Sequence, residues 1–210
     1  MYLGSSITGY IILKDTEILP WYLGGSGSLE NCFTDLPYQK QIPLLLEYSL
    51  FQMGYFIEDV VNHLVFKEKS SDFWEMNLHH FITLTLYGGM ILQNFIRPGV
   101  IVSLLHSLSD VGTAGSRVLS QTVYKKSTVI SFLFTTLFWI IFRNICIPLL
   151  CYECWVNLEY PAELEEFNIA PRMLTALLSI LCVMHVYWVT LFINMIIKGL
   201  KSGDTDNKQS

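Results

Sequence analysis

The sequence predicts an all-α protein, a polytopic bundle of transmembrane helices. Of its 210 residues, 52% are hydrophobic and only 15% charged, whereas a soluble domain carries about 25% charged residues. Mean hydropathy is +0.43. The apolar residues also gather in blocks close to the ~20 residues that cross a hydrocarbon core as a helix. A soluble helical bundle is the alternative that the same periodicity allows. The net charge of −5 is mild and gives no sign of nucleic-acid binding. Five cysteines in a chain of this length do not make a disulfide framework.

The elements follow in order. Residues 1–13 read as the end of a transmembrane helix, with no basic leader before a short apolar run. Residues 14–41 form a loop punctuated by Pro20, Gly24, Gly25, Gly27 and Pro37. Full spans are predicted at about 42–66, 78–97, 99–119, 128–152 and 171–197. The second ends at Arg97-Pro98, because a proline disfavours helical backbone in the residue before it. KEKSSDFWEMN connects the first two spans, and an acidic loop at 153–170 precedes the last. A polar tail, 201–210, closes the chain. No internal repeat and no N-x-Ser/Thr sequon occurs.

Short cytoplasmic loops are enriched in lysine and arginine. One alternating set of loops carries Lys67, Lys69, Arg117, Lys125, Lys126, Lys198, Lys201 and Lys208; the other carries Lys14, Lys40, Arg97 and Arg172. Arg143 lies inside a span. Eight cations against four predict a cytosolic C-terminus and a lumenal acidic loop.

Helical neighbours stand three or four residues apart, and several spans turn a polar seam to one face. The seams are Tyr48, Gln52, Tyr55, Asp59 and Asn62; His80, Thr83, Tyr87, Asn94 and Arg97; Ser103, His106, Asp110, Thr113 and Arg117; and Thr175, Ser179, Cys182, His185 and Trp188. Facing one another, they would build a polar cavity wrapped in apolar surface. Gln52, Thr83, Ser103, Thr175 and Ser179 read first as interhelical hydrogen-bond glue. His79, His80, His106 and Asp110 read as functional, because ionisable groups at membrane depth are costly. Four residues apart on one helix, His106 and Asp110 can hydrogen-bond directly and so set the imidazole tautomer. His63 and His185 lie near a span end or among apolar residues and read as structural.

Other signals carry less. Cys151-Tyr-Glu-Cys154 has no second ligand pair, so no zinc site follows; with Cys32 it shares the lumenal side, where a disulfide remains open. Gly24-Gly25-Ser26-Gly27 lacks the strand and the GKS or GKT of a nucleotide loop. Adjacent helical residues point about 100° apart, so His79 and His80 do not suit one ion, and no metal is expected.

HHFITLTLYGGMILQNFIRPGVIVSLLHSLSD holds His79, His80, Thr83, Leu86, Asn94, Arg97, Gly99, His106 and Asp110 at fixed spacing. With DFWEMNLHH before it and LLSILCVMHVYWVTLFINMIIK near the end, it resembles the TLC-domain membrane proteins, and within them the ceramide synthases. Their motif opens in HHxxT, continues through SYxxN, RxG and HDxxD, and closes in LExxK. The resemblance covers nearly the whole chain and is densest from Asp72 to Arg117. Met90-Ile91 stands for the SY pair, His106-Ser107 for HD, and Thr113-Ala114-Gly115-Ser116-Arg117 for LExxK.

The resemblance implies a TLC domain over residues 1–200, without the family's first membrane helices, in the endoplasmic reticulum membrane. It implies acyl transfer from acyl-CoA to the amine of a sphingoid base, making a ceramide or dihydroceramide. Acyl-CoA would be a co-substrate, with no resident cofactor, membrane lipid around the chain, and a homo- or heterodimer left open. His79, His80, His106 and Asp110 would be catalytic. Thr83, Asn94 and Arg97 would bind substrate, joined by Tyr55 and Asp59 from the first polar seam. Lys67, Lys69, Arg117, Lys125 and Lys126, at the cytosolic rim of this topology, suit coenzyme A phosphates. Ser107, Met90-Ile91 and Ala114 keep open a non-catalytic TLC protein that binds or senses lipid. A transporter is disfavoured by the lack of inverted repeats and broken helices.

The charge asymmetry makes one prediction. A C-terminal tag on the chain in sealed microsomes should be digested by added protease; protection of the tag would reverse the orientation.

Overall fold

The computed structural model describes residues 2–66, 73–121, 125–161, 163–164 and 168–207, with the backbone alone for Phe66, Lys125, Lys126 and residues 199–207. Its main helices are α1 (Tyr2–Leu13), α2 (Leu45–Phe66), α3 (Phe73–Leu92), α4 (Ile96–Ser120), α5 (Lys125–Trp139), α6 (Ile147–Asn157) and α7 (Ile169–Asn207). A π-helical turn, Ile140–Cys146, joins α5 to α6 without a break. Two short 3-10 turns, Trp21–Leu23 and Leu29–Cys32, shape the α1–α2 loop. Among the described residues the only β pairing is an isolated bridge between Pro20 and Gly27.

The predicted spans each find a helix, with several boundaries corrected: the second begins at Phe73 inside the expected connector, the fourth continues to Asn157 into the expected acidic loop, and the last continues to Asn207 through most of the expected polar tail. The second helix stops at Leu92, and Arg97-Pro98 opens the third rather than closing the second. Pro98 falls in the first turn of α4, where backbone N–H groups lack intrahelical partners, so its missing donor costs nothing. The stop comes from Asn94, whose φ of 53° is left-handed, a region asparagine tolerates well. Phe95 N–H donates to the Met90 carbonyl at 2.7 Å and Asn94 N–H to the Ile91 carbonyl at 3.3 Å, the paired bonds of a Schellman cap. The π turn ends just before Pro148. Proline removes one i→i−4 bond and crowds the carbonyl four residues back, and the widened turn absorbs both. Asn144 Nδ2 donates to the Trp139 carbonyl at 3.3 Å, satisfying an acceptor there.

α4 is the central helix and packs against α1, α2, α3, α5, the π turn and α6. Val100, Ile101, Leu104 and Leu105 on it are buried, with Leu150 and Leu181 among their neighbours in the core. The outer surface reverses the pattern of a soluble protein. Phe51, Phe81, Phe134 and Val183 are 57–70% exposed, while His79, Arg143, Thr175 and His185 are buried. Contiguous apolar surface on this scale marks contact with lipid or partners rather than water. Among the described residues, Ser127–Asn157 and Ile169–Lys198 are long and apolar enough to cross a membrane.

The α1–α2 loop covers the end of the bundle where α4 begins, and one side chain staples it there. Arg97 Nη1 donates to Glu17 Oε1 at 3.0 Å and to the Asn31 carbonyl at 2.9 Å, and Nη2 donates to the Lys40 carbonyl at 2.9 Å. Asn94 Nδ2 adds a bond to the Pro37 carbonyl at 2.9 Å, and Gln39 Nε2 donates to the Cys32 carbonyl at 2.7 Å. Gly27 is required, because a Cβ there would overlap the Glu17 carbonyl. Cys32 is buried beneath this loop; burial pushes its thiol up, against a smaller pull downward from Arg97. All five cysteines are free thiols.

Arg97→Met keeps the side chain's length and loses every donor. It should cost about 1.5–3 kcal/mol, the range of a hydrogen bond to a charged group, and should open residues 14–41 to protease first. Limited proteolysis in micelles, with cleavage sites read by mass spectrometry, checks this.

Candidate functional site

The polar seams of α2, α3, α4 and α7 converge on one cavity of about 1120 Å³, slightly above the usual size of a small-molecule pocket. Its lining runs along α4 from Pro98 to Ser120, about 33 Å of helix. Its two ends differ. Met90, Phe95, Cys154 and Leu174 close one end and are all buried. At the other end Asn62, Arg117, Ser120, Val129 and Met195 line the cavity and are exposed, so the mouth opens there. Leu86, Leu178, Leu181, Phe132 and Phe192 make the walls apolar.

Near the middle stand the histidines. His79 and His80 are buried on α3, and His106 is half-buried on α4. The His79 and His80 ring centroids are 5.8 Å apart, and His79 lies 6.4 Å from His106. Trp188 stands edge-on to His79 at 5.2 Å, which limits the ring's freedom to turn. His106 Nδ1 is 2.9 Å from the Val102 carbonyl, so Nδ1 carries the proton and Nε2 keeps a free lone pair. Among the described residues, His106 Nε2, His79 Nδ1 and Thr83 Oγ1 are buried without a hydrogen-bond partner. Leaving such atoms unmatched costs roughly 1–3 kcal/mol each; a ligand with polar atoms at mid-cavity would meet that need.

Asp110 does not hold His106. Its carboxylate accepts from Arg143 Nη2 at 2.6 Å, and Arg143 Nε donates to Ser109 Oγ at 2.6 Å. Arg143 also lies over the Trp139 ring, 4.0 Å from its centroid, in cation–π contact. The expected His106–Asp110 bond is thus replaced by a backbone carbonyl on the imidazole and a guanidinium on the carboxylate. The ion pair is the stronger match, because a cation this deep needs an anion more than a neutral ring does.

The other expected site residues divide. Thr83, Tyr55 and Asp59 line the same cavity as the histidines, with Tyr55 edge-on to Tyr2 at 5.7 Å. Asn94 and Arg97 do not; their bonds go to the α1–α2 loop, so their motif positions serve helix termination and loop anchoring. Arg117 stands exposed at the mouth. The side chains of Lys125 and Lys126, and all of Lys67 and Lys69, lie outside the described residues. Two histidines read as structural belong to the cluster: His185 is 5.1 Å from His106, and His63 is 4.9 Å from His80. Arg143, inside a span, joins the site as well. Its signal was available, since an arginine inside an apolar span demands an anionic partner.

The TLC-domain family profile matches residues 1–194. The chain belongs to the TLC-domain family. Within it the chain falls on the ceramide synthase branch. It is 24% identical to "Ceramide synthase hyl-2" of Caenorhabditis elegans over 94% of this chain and 60% of that protein. It is 27% identical to "Ceramide synthase 4" of Bos taurus over 84% of this chain and 44% of that protein. Against "Ceramide synthase LOH2" of Arabidopsis thaliana the identity is 26%, over 92% of this chain and 65% of that protein. The chain thus spans about half of the length of such relatives.

Seen as a TLC domain, the departures from the motif have local explanations. Ser107, in the place of an aspartate, accepts from Gln52 Nε2 at 3.1 Å and lies 3.2 Å from Ser5 Oγ, which itself donates to Gln52 Oε1 at 2.7 Å. Tyr48 completes this neutral cluster by donating to the Ser5 carbonyl at 3.2 Å. A carboxylate at 107 would face these groups without a cation among them. Met90, in place of the serine of the SY pair, packs at the closed end of the cavity.

Breaking the buried pair tests its weight. Arg143→Met should destabilise the TLC domain by about 3–5 kcal/mol, because it leaves Asp110 alone. Adding Asp110→Asn to it should recover part of that loss. Denaturant titration of the variants in one micelle system measures both.

Proposed function

We propose that this TLC domain transfers a fatty acyl group from coenzyme A to the amine of a sphingoid base, giving a ceramide or dihydroceramide. The observation that carries the reading is the meeting of motif histidines His79, His80 and His106 halfway along an apolar cavity with a polar mouth. A long-chain amphiphile needs such a shape: apolar walls for its chain, titratable groups at its reacting head. The relatives named ceramide synthase support the same role.

The chemistry suits imidazole. A sphingoid amine must lose a proton before its nitrogen can attack a thioester carbonyl, and histidine titrates in the right range. Two routes fit. A histidine of the His79/His80 pair takes the amine's proton as general base. Alternatively one takes the acyl group first, forming an acyl-imidazole and releasing the thiol, and the amine then displaces the imidazole. His106, with Nδ1 held by its own helix, presents Nε2 to the same space. Asp110 acts through Arg143 rather than on an imidazole, so its role is to position the neighbouring helices.

In this reading five spans, α2, α3, α4, α5 with α6, and α7, cross the endoplasmic reticulum membrane, and the mouth faces the cytosol. Arg117 then meets coenzyme A phosphates, together with Lys67, Lys69, Lys125 and Lys126 from the flanking connections. Thr83, Tyr55 and Asp59 contact the sphingoid head group.

A lipid-binding TLC protein without turnover is the rival reading, and Ser107 is the observation that favours it. The assay that separates them uses cells stripped of their own ceramide synthases, labelled sphingoid base and acyl-CoAs of several lengths. Wild type should make ceramide, and His79→Ala and His80→Ala should each lower turnover at least about 100-fold. Wild-type rates in His80→Ala would end the proposal; bound sphingolipid without product from a folded wild type would favour the rival.

A further inference from the structure

All five histidines of the chain stand in one unbroken file. From the mouth inward, ring centroids step from His63 to His80 at 4.9 Å, to His79 at 5.8 Å, to His106 at 6.4 Å and to His185 at 5.1 Å. Four helices, α2, α3, α4 and α7, supply them. The file has a direction. His63 lies within the last turn of α2, about 5 Å of helix from its end, on the side of the bundle where Arg117 and Ser120 are exposed. His106 lies well over three turns inside Ser120 on α4, about 21 Å deep along that helix. Between these levels the rings line the cavity wall.

Amide synthesis from a thioester and a protonated amine leaves one proton over. The amine nitrogen forms the C–N bond and the C–S bond breaks. The leaving thiolate takes one nitrogen proton to become the thiol. The ammonium's remaining excess proton has to leave the reaction centre inside the apolar-walled cavity. Imidazole accepts a proton on one nitrogen and releases another from its second, and transfer across steps of this size runs through a bridging water.

We propose that His63, through His80, is the outer end of a proton-exit path from the reaction centre to the cytosolic mouth; this rests on the acyl-transfer reading above. His63 touches no reacting atom in this scheme and is a relay residue. Around it stand Asp59, one turn back on α2, and, from α3, His80 and the Phe73 ring stacked at 5.5 Å. Asp59 also lines the cavity.

The test uses the full chain in membranes under weak buffering. His63→Ala should lower kcat for N-acylation about 10-fold, the low side of what a positioned proton-transfer group contributes, with KM for acyl-CoA unchanged. Added imidazole should restore the rate in a dose-dependent way, while sodium chloride at equal ionic strength should not. His63→Gln, which keeps bulk and hydrogen bonding but cannot relay, should behave as alanine does and guards against misfolding. Wild-type rates in both variants, or a loss indifferent to imidazole, would overturn the relay and leave the acyl-transfer reading standing. A wild-type chain that makes no CoA-dependent product takes both down.

Discussion

A guanidinium buried in an apolar bundle must be paired, and the pairing of Arg143 with Asp110 organises the molecule around it. The bond crosses from the π turn to α4, the helix against which most others pack. Ser109 takes a second donor and Trp139 covers the cation's face, so the charge is matched on three sides. Coulombic attraction alone seldom offsets the desolvation of such a pair. Its consequence is geometric: α4 and the α5–π–α6 helix are held in one register, and that register sets His106 beside His79 and His185. The π turn belongs to the same argument. It absorbs Pro148 and carries Arg143, so the irregular backbone and the buried charge share a place, as π turns often do at functional sites.

Much of this was legible in the sequence, because lipid simplifies the reading. With an apolar solvent, polar side chains must face inward, so a seam at helical spacing names its own buried face. The seams of α2, α3 and α4 meet as their spacing said they would. What stayed hidden depended on pairing across helices. His106 and Asp110 are correctly spaced for each other, yet a cation from a distant helix outcompetes the imidazole for the carboxylate. His63 sits a turn from a helix end and His185 among leucines and valines, so each looks structural until the fold sets another imidazole beside it. Asn94 and Arg97 were opaque for a different reason. A motif spacing says that positions matter without saying why. Here a left-handed asparagine and a first-turn arginine end one helix, start the next and hold a loop.

The neutral cluster around Ser107 shows how a bundle can lose a charge without losing its packing. Ser5, Tyr48, Gln52 and Ser107 bond one another across α1, α2 and α4, and none needs a counterion. The remaining acid of the motif, Asp110, keeps its cation. The two positions therefore do different physical work, one joining helices through neutral bonds and the other through an ion pair. Replacing the first by serine leaves the histidines and the ion pair where they are.

The asymmetry of the cavity follows from the same helices. At the closed end the α3–α4 turn packs Phe95 and Met90 into the gap, and the α1–α2 loop, stapled by Arg97, lies over the start of α4. At the open end Arg117 stands exposed, and the walls pass from polar to apolar within a few turns. An amphiphile with a charged head group and a long tail would be drawn in tail first from such a mouth, because only the tail matches the interior. Its head would stop where polar groups line the wall. That level is set by His79, His80 and His106, so the apolar walls above and below and the depth of the histidines along α3 and α4 fix where a polar head group would rest.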